Sequence, residues 1–96
     1  MSKADENNSV SRLSVFLREK RTHAGLSQAK VARILGYSTA QFVSNWERGI
    51  SEPPLETLKV LAKLYAVSTD EMFEVVLKST IQKVTEDLKS KFRDAK

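Results

Sequence analysis

Residues 26–49 read LSQAKVARILGYSTAQFVSNWERG and hold two short apolar patterns separated by a glycine. Ser27 is suited to cap a helix over 28–35, and Gly36 can adopt the left-handed conformation that ends it. A second helix is predicted over 40–47, with Gly49 as its stop. The stretch therefore predicts two short helices joined by a tight turn over 36–39.

The second of these helices has two different faces. Val43 and Trp46 form an apolar side, which we expect to face the core. Gln41, Ser44 and Asn45 lie at spacings of three and four residues and share another side. An amide side chain can pair with both N7 and N6 of adenine, and a helix after a glycine-containing turn is the element that enters a major groove. These three residues are candidate base contacts, although a solvated polar face would show the same pattern.

Phe42 lies between these faces. Its ring could pack beneath the turn or touch a thymine methyl group, and we favour packing.

The rest of the chain also shows helical spacing. A first helix is predicted over 10–23, with Ser9 as its cap, and a fourth begins at Leu55 after two prolines. Ser68 and Glu71 form a capping box that opens a fifth helix. Residues 1–8 are polar and predict a disordered tail.

The last segment carries an apolar stripe at helical spacing. Ser79 and Gln82 could form a second capping box, so the segment is either a continuation of the fifth helix or a new one. The stripe either folds back on its own domain or faces a second subunit, and we expect dimerisation, because five helices already complete one core. Its members are Leu77, Ile81, Val84, Leu88 and Phe92.

Composition excludes several classes of protein. The 96 residues contain no cysteine and one histidine, so no thiolate or histidine cluster can hold a metal. Apolar runs are too short to span a membrane. There is no glycine-rich phosphate loop and no catalytic triad, so we predict neither an enzyme nor a cofactor.

The net charge of +4 is unevenly distributed. Residues 9–50 hold seven basic and two acidic side chains, whereas residues 51–96 hold eight of each. An anionic partner is therefore expected to meet the first half. Candidate phosphate contacts there are Arg18, Lys20, Lys30, Arg33 and Arg48, although a charge on a helix is usually only solvated surface.

Several short motifs occur together in a distinctive order: Leu26-Ser27-Gln28, Val31-Ala32, Leu35-Gly36, Trp46-Glu47-Arg48-Gly49, Pro54 and Leu61-Ala62-Lys63. In order and spacing the chain resembles the Xre family, the helix-turn-helix domains of phage Cro and repressor type, over about residues 13–73. One residue more than usual separates Gly36 from Trp46, and we place it in the turn at 37–39.

The resemblance implies roles for particular residues. It implies a structural ion pair between Arg21 and Glu47, and a phosphate contact by Gln28 that also braces the recognition helix. It adds Ala40 to the candidate base contacts and Thr39 to the candidate phosphate contacts. The loop after Gly49 lacks basic residues, so Ser51 and backbone amides would grip phosphate there.

The predicted fold class is all-α: a five-helix repressor-like bundle with a helix-turn-helix and an additional C-terminal amphipathic helix. We expect a tail at 1–8, a DNA-binding domain at 9–77 and a dimerisation or partner segment at 78–96.

The predicted function is a cytoplasmic, bacterial or phage-encoded regulator that binds double-stranded DNA, most simply a homodimeric repressor reading a pseudo-palindromic operator. Two alternatives stay open: an antitoxin with a toxin partner, and a protein-interaction module that does not bind DNA.

Overall fold

The computed structural model describes residues 11–94, which form five α-helices and no strand. The helices are α1 (Arg12–His23), α2 (Gln28–Leu35), α3 (Gln41–Glu47), α4 (Leu55–Leu64) and α5 (Thr69–Asp94). The all-α prediction is confirmed. The tail predicted at 1–8 and the proposed cap Ser9 lie outside the described residues.

Helix α1 begins two residues later than predicted. Ser11 has extended backbone, accepts a hydrogen bond from the Ser14 backbone N–H and donates its own backbone N–H to the Ser14 hydroxyl. This reciprocal pair satisfies donors that the first turn of a helix leaves free. The start predicted at Val10 is therefore wrong, because the reciprocal bonds between Ser11 and Ser14 make Ser11 the N-cap.

The turn between α2 and α3 is closed by backbone hydrogen bonds. Gly36 has a φ of 92°, which a side chain would disfavour, and the Tyr37 N–H then reaches the Ala32 carbonyl at 2.9 Å. The first residue of α3 is Gln41, one later than predicted, with Ala40 as its N-cap. The Thr39 hydroxyl accepts the Gln41 backbone N–H at 3.2 Å and satisfies one donor of the new helix.

The core is a single cluster to which all five helices contribute. Helix α1 packs against α3 and α5, α2 packs against α3, and α4 packs against α5. The largest side chains that are completely buried come from four different positions along the chain: Leu17, Val31, Val43 and Leu61. Packing of these apolar stripes, rather than helix propensity, is what stabilises helices as short as α2 and α3.

Helix α5 is one continuous helix of 26 residues, so the question left open at Ser79 is resolved. Ser68 forms the predicted cap, since its hydroxyl accepts the Glu71 backbone N–H at 3.0 Å. The second capping box is wrong: Ser79 lies inside the helix and is buried, with 4% of its surface exposed. The additional C-terminal helix is thus an extension of the fifth. Apart from the half-buried Ser90, every side chain from Thr80 to Asp94 is exposed.

Ala66, directly after α4, is a site of backbone strain. Its φ is 57°, in the left-handed region that costs an L-residue about 1–2 kcal/mol. We expect Ala66→Gly to raise the free energy of unfolding by up to about 1 kcal/mol, after the entropic cost of glycine. Ala24→Gly is the matched control, because Ala24 is exposed with a φ of −78° and the same change there should destabilise. Urea unfolding followed by circular dichroism measures both, and equal signs would contradict the assignment.

Candidate nucleic-acid interface

The end of α3 is anchored by an ion pair to α1. Arg21 Nε donates to Glu47 Oε2 at 2.7 Å, and Arg21 Nη2 donates to Glu47 Oε1 at 3.1 Å. Only 13% of the Arg21 side chain and 3% of the Glu47 side chain are exposed. The remaining guanidinium nitrogen, Nη1, donates to the Leu26 carbonyl at 2.7 Å. One arginine therefore connects α1, the loop before α2 and the end of α3.

Helix α2 joins the same cluster through its first residue. Gln28 Nε2 donates to Glu47 Oε1 at 2.9 Å, so both oxygens of the carboxylate accept hydrogen bonds. The structure thus brings together the three residues that the family resemblance linked. Gln28 contacts α3 directly, and its position at the N-terminus of α2 keeps it at the edge of the surface, half-buried.

The contacts within this cluster favour the charged form of Arg21. The hydrogen bond to Glu47 raises the pKa of the Arg21 guanidinium above its ordinary value, despite the opposing effect of burial. Tyr65, from the end of α4, is buried nearby, and desolvation followed by the Glu47 charge raises the pKa of its phenol. Near neutral pH the guanidinium therefore stays charged and the phenol stays neutral.

The outer face of α3 carries a row of three polar side chains. Gln41 Nε2 donates to Asn45 Oδ1 at 2.9 Å, and Arg48 Nη2 donates to the same oxygen at 3.1 Å. Gln41 and Arg48 are exposed and Asn45 is half-buried. The row gives one helix face both amide and guanidinium donors, which are the groups that recognise base edges and phosphates.

The other candidate base contacts lie beside this row. Ser44 is half-buried, and Ala40 is half-buried and packs against the core. Phe42 contacts the Tyr37 ring, with centroids 4.7 Å apart, yet 51% of its surface is exposed. The Tyr37 ring also meets Trp46 edge-on at 6.1 Å, so the turn that contains the additional residue is held to α3 by aromatic contacts.

The candidate phosphate contacts are distributed over the turn and the neighbouring helices. Lys30 and Arg33 are exposed on α2, Ser51 is exposed after α3, and Thr39 is exposed in the turn. The remaining two, Gln28 and Arg48, already have partners within the protein. Of the exposed group, Thr39 precedes α3 in the chain and Ser51 follows it.

Comparison with protein families agrees with this geometry: the helix-turn-helix family, of the Xre type, matches residues 17–72, more than half of the chain. The chain belongs to the helix-turn-helix family. Comparisons with curated proteins and with solved structures gave no match. Helices α2 and α3, the helix-turn-helix, lie within the matched residues.

The link between Asn45 and Arg48 was missed by sequence reasoning. Arg48 was considered only as a charge, although positions 41, 45 and 48 follow the spacing of a single helix face. That spacing could have placed Arg48 with the two amides. The sequence favours packing of Phe42 beneath the turn, and its ring contacts Tyr37 there while half of its surface stays exposed.

Within residues 11–94, no helix of this helix-turn-helix protein is long and apolar enough to cross a membrane. Across the same residues, no group of acidic or histidine side chains is arranged to hold a metal ion.

Removing one partner of the anchoring cluster should be costly. We expect Glu47→Ala to lower the free energy of unfolding by about 3–5 kcal/mol, because Arg21 would be left buried without its counter-ion. Glu52→Ala is the matched control at an exposed carboxylate, expected within about 0.5 kcal/mol of the parent. Chemical denaturation measures both variants. Equal unfolding midpoints for the two would show that the ion pair does not hold α3.

Proposed function

We propose that this DNA-binding helix-turn-helix regulator is a homodimeric repressor that reads a pseudo-palindromic operator with α3 in the major groove. The observation that carries the proposal is the row of Gln41, Asn45 and Arg48 on the outer face of α3. We propose that the protein acts in the cytoplasm and is encoded by a bacterium or a phage.

The row supports base reading because its inner hydrogen bonds can be exchanged. The bond between Gln41 and Asn45 joins two exposed or half-exposed groups, so replacing it by bonds to a base leaves no buried group unsatisfied. Each amide offers one donor and one acceptor, which matches the major-groove edge of adenine. We assign base contacts to Gln41 and Asn45, with Ser44 and Ala40 beside them.

Phosphate contacts would position this helix. Arg48 caps the end of α3, where a recognition helix leaves the bases and meets the backbone. We assign it to phosphate, with Gln28, Lys30, Arg33, Thr39 and Ser51.

The rigid inner face of α3 supports sequence-specific reading. Val43 and Trp46 are buried, and Glu47 is held by two other helices. A side chain that discriminates bases must be held within a fraction of an ångström, which a helix fixed at three points provides.

The direct test is selection of bound sites from random duplex DNA, at two salt concentrations, with the full chain. We expect enrichment of a two-fold symmetric site. The double variant Gln41→Ala, Asn45→Ala should lose at least about tenfold in affinity for that site, since each bidentate base contact contributes about 1–3 kcal/mol. Its non-specific binding should be unchanged.

Gln82→Ala on α5 is the matched control and should bind like the parent protein. If no sequence is enriched and binding does not weaken with salt, DNA reading is contradicted. That result would favour a protein-interaction module or an antitoxin that acts only on its toxin.

The phosphate contacts have a separate signature. Lys30→Ala should weaken binding to all sequences alike and reduce the slope of log affinity against log salt by about one for each half-site, because one fewer counterion is released. Lys83→Ala, an exposed lysine on α5, should leave the slope unchanged. Titrations at several salt concentrations measure the slope, and equal slopes for both variants would remove Lys30 from the interface.

A further inference from the structure

Helix α5 presents a long apolar stripe to solvent. Between 40% and 78% of each of its side chains is exposed. Their spacing along the helix is 4, 4, 3, 4 and 4 residues, which at 100° per residue keeps them within an arc of about 100°. The stripe extends along about 29 Å of helix. Its members are Phe73, Leu77, Ile81, Val84, Leu88 and Phe92.

The domain to which α5 belongs does not cover this stripe. Met72 and Ser79, seven residues apart on one face, are the buried residues of α5. Ser79 lies about 170° around the helix from the middle of the stripe. The stripe therefore points away from the domain. Because α5 is one uninterrupted helix of 26 residues, its end does not fold back to bury the stripe against the domain.

The stripe is symmetric about the midpoint between Gln82 and Lys83. Reading it from either end gives Phe, Leu, a β-branched residue, a β-branched residue, Leu and Phe at the same intervals. An antiparallel second copy would therefore place Phe73 with Phe92, Leu77 with Leu88, and Ile81 with Val84, each pair formed twice. The central intervals of 4, 3 and 4 residues, from Leu77 to Leu88, are those by which paired helices interlock.

The charges beside the stripe distinguish the two possible directions. Glu74 and Lys91 are exposed at its edges, each about 50° from its middle, and are equidistant from the symmetry point. In an antiparallel pair, Glu74 of one copy shares a layer with Lys91 of the other. In a parallel pair in register, Glu74 would face Glu74 and Lys91 would face Lys91. Like charges oppose pairing, so the charges favour the antiparallel direction.

The charges at the two ends of α5 also favour the antiparallel direction. Its first turn contains Asp70 and Glu71, and its last turn contains Lys91 and Arg93. An antiparallel arrangement brings the acidic end of one helix beside the basic end of the other, and it also aligns the helix dipoles favourably.

We propose that a second copy of this chain covers the stripe as an antiparallel partner of α5, in the register that pairs Glu74 with Lys91. This specifies the dimer on which the proposed function rests, although helix pairing itself does not require DNA binding. A two-fold axis then relates the two helix-turn-helix units, as a pseudo-palindromic operator requires.

Sedimentation of the full chain, without DNA, tests the register through charge reversal. Glu74→Lys and Lys91→Glu should each weaken dimerisation by about tenfold, because each places two like-charge contacts in the dimer. The double variant Glu74→Lys, Lys91→Glu should return the Kd to within about threefold of the parent, since both attractive contacts are restored with their signs exchanged. A parallel dimer predicts no weakening in the single variants and no rescue in the double variant.

Two further variants complete the test. Glu86→Lys reverses a charge on the face of α5 opposite the stripe and should leave the Kd unchanged. Ile81→Asp should abolish the dimer, with circular dichroism showing whether the helices remain formed. A monomeric parent chain, or a dimer that survives Ile81→Asp, would overturn the proposal. So would failure of the double variant to recover. A monomeric parent chain would also remove the homodimer from the proposed function, whereas a dimer with another register would leave that function standing. Base reading by α3 is tested separately, by the site selection.

Discussion

The buried contact between Arg21 and Glu47 determines where the recognition helix lies. Helix α3 has only seven residues and no side-chain N-cap, so its own hydrogen bonds are too few to hold it. Two core residues fix its inner face, and Glu47 fixes its end through α1 and α2. Because a carboxylate this deeply buried is costly unless it is paired, any arrangement that separates α3 from Arg21 is penalised.

Because the inner face of α3 is held in the core, its outer face is available to contact DNA in the proposed function. The same seven residues hold a tryptophan and a valine in the core, and an amide pair toward solvent. Setting Arg21 and Glu47 aside as mutual partners leaves six basic side chains and one acidic side chain in residues 9–50. The modest net charge of the chain thus underestimates the positive charge of the segment that contains α3. Residues 51–96 of the chain have balanced charge, which suits packing and self-association better than contact with DNA.

Helix α5, like α3, has one face in the core and another face exposed to solvent. Its buried face, at Met72 and Ser79, completes the domain, and its opposite face bears the uncovered apolar stripe. A serine rather than a large side chain occupies the second of these buried positions. The family match ends at residue 72, so the whole stripe lies beyond it.

The sequence by itself determined the all-α class, the helix of residues 28–35 and the residues on each face of α3, because helical periodicity and left-handed glycines are local properties. The cap at Ser11 and the continuity of α5 could not be read locally, since several serines offered equivalent caps. Only the tertiary structure placed the Tyr37 ring edge-on to Trp46, and Ser79 in the interior. Those outcomes depend on which helices meet and at what angle, and pairwise packing of distant segments decides that.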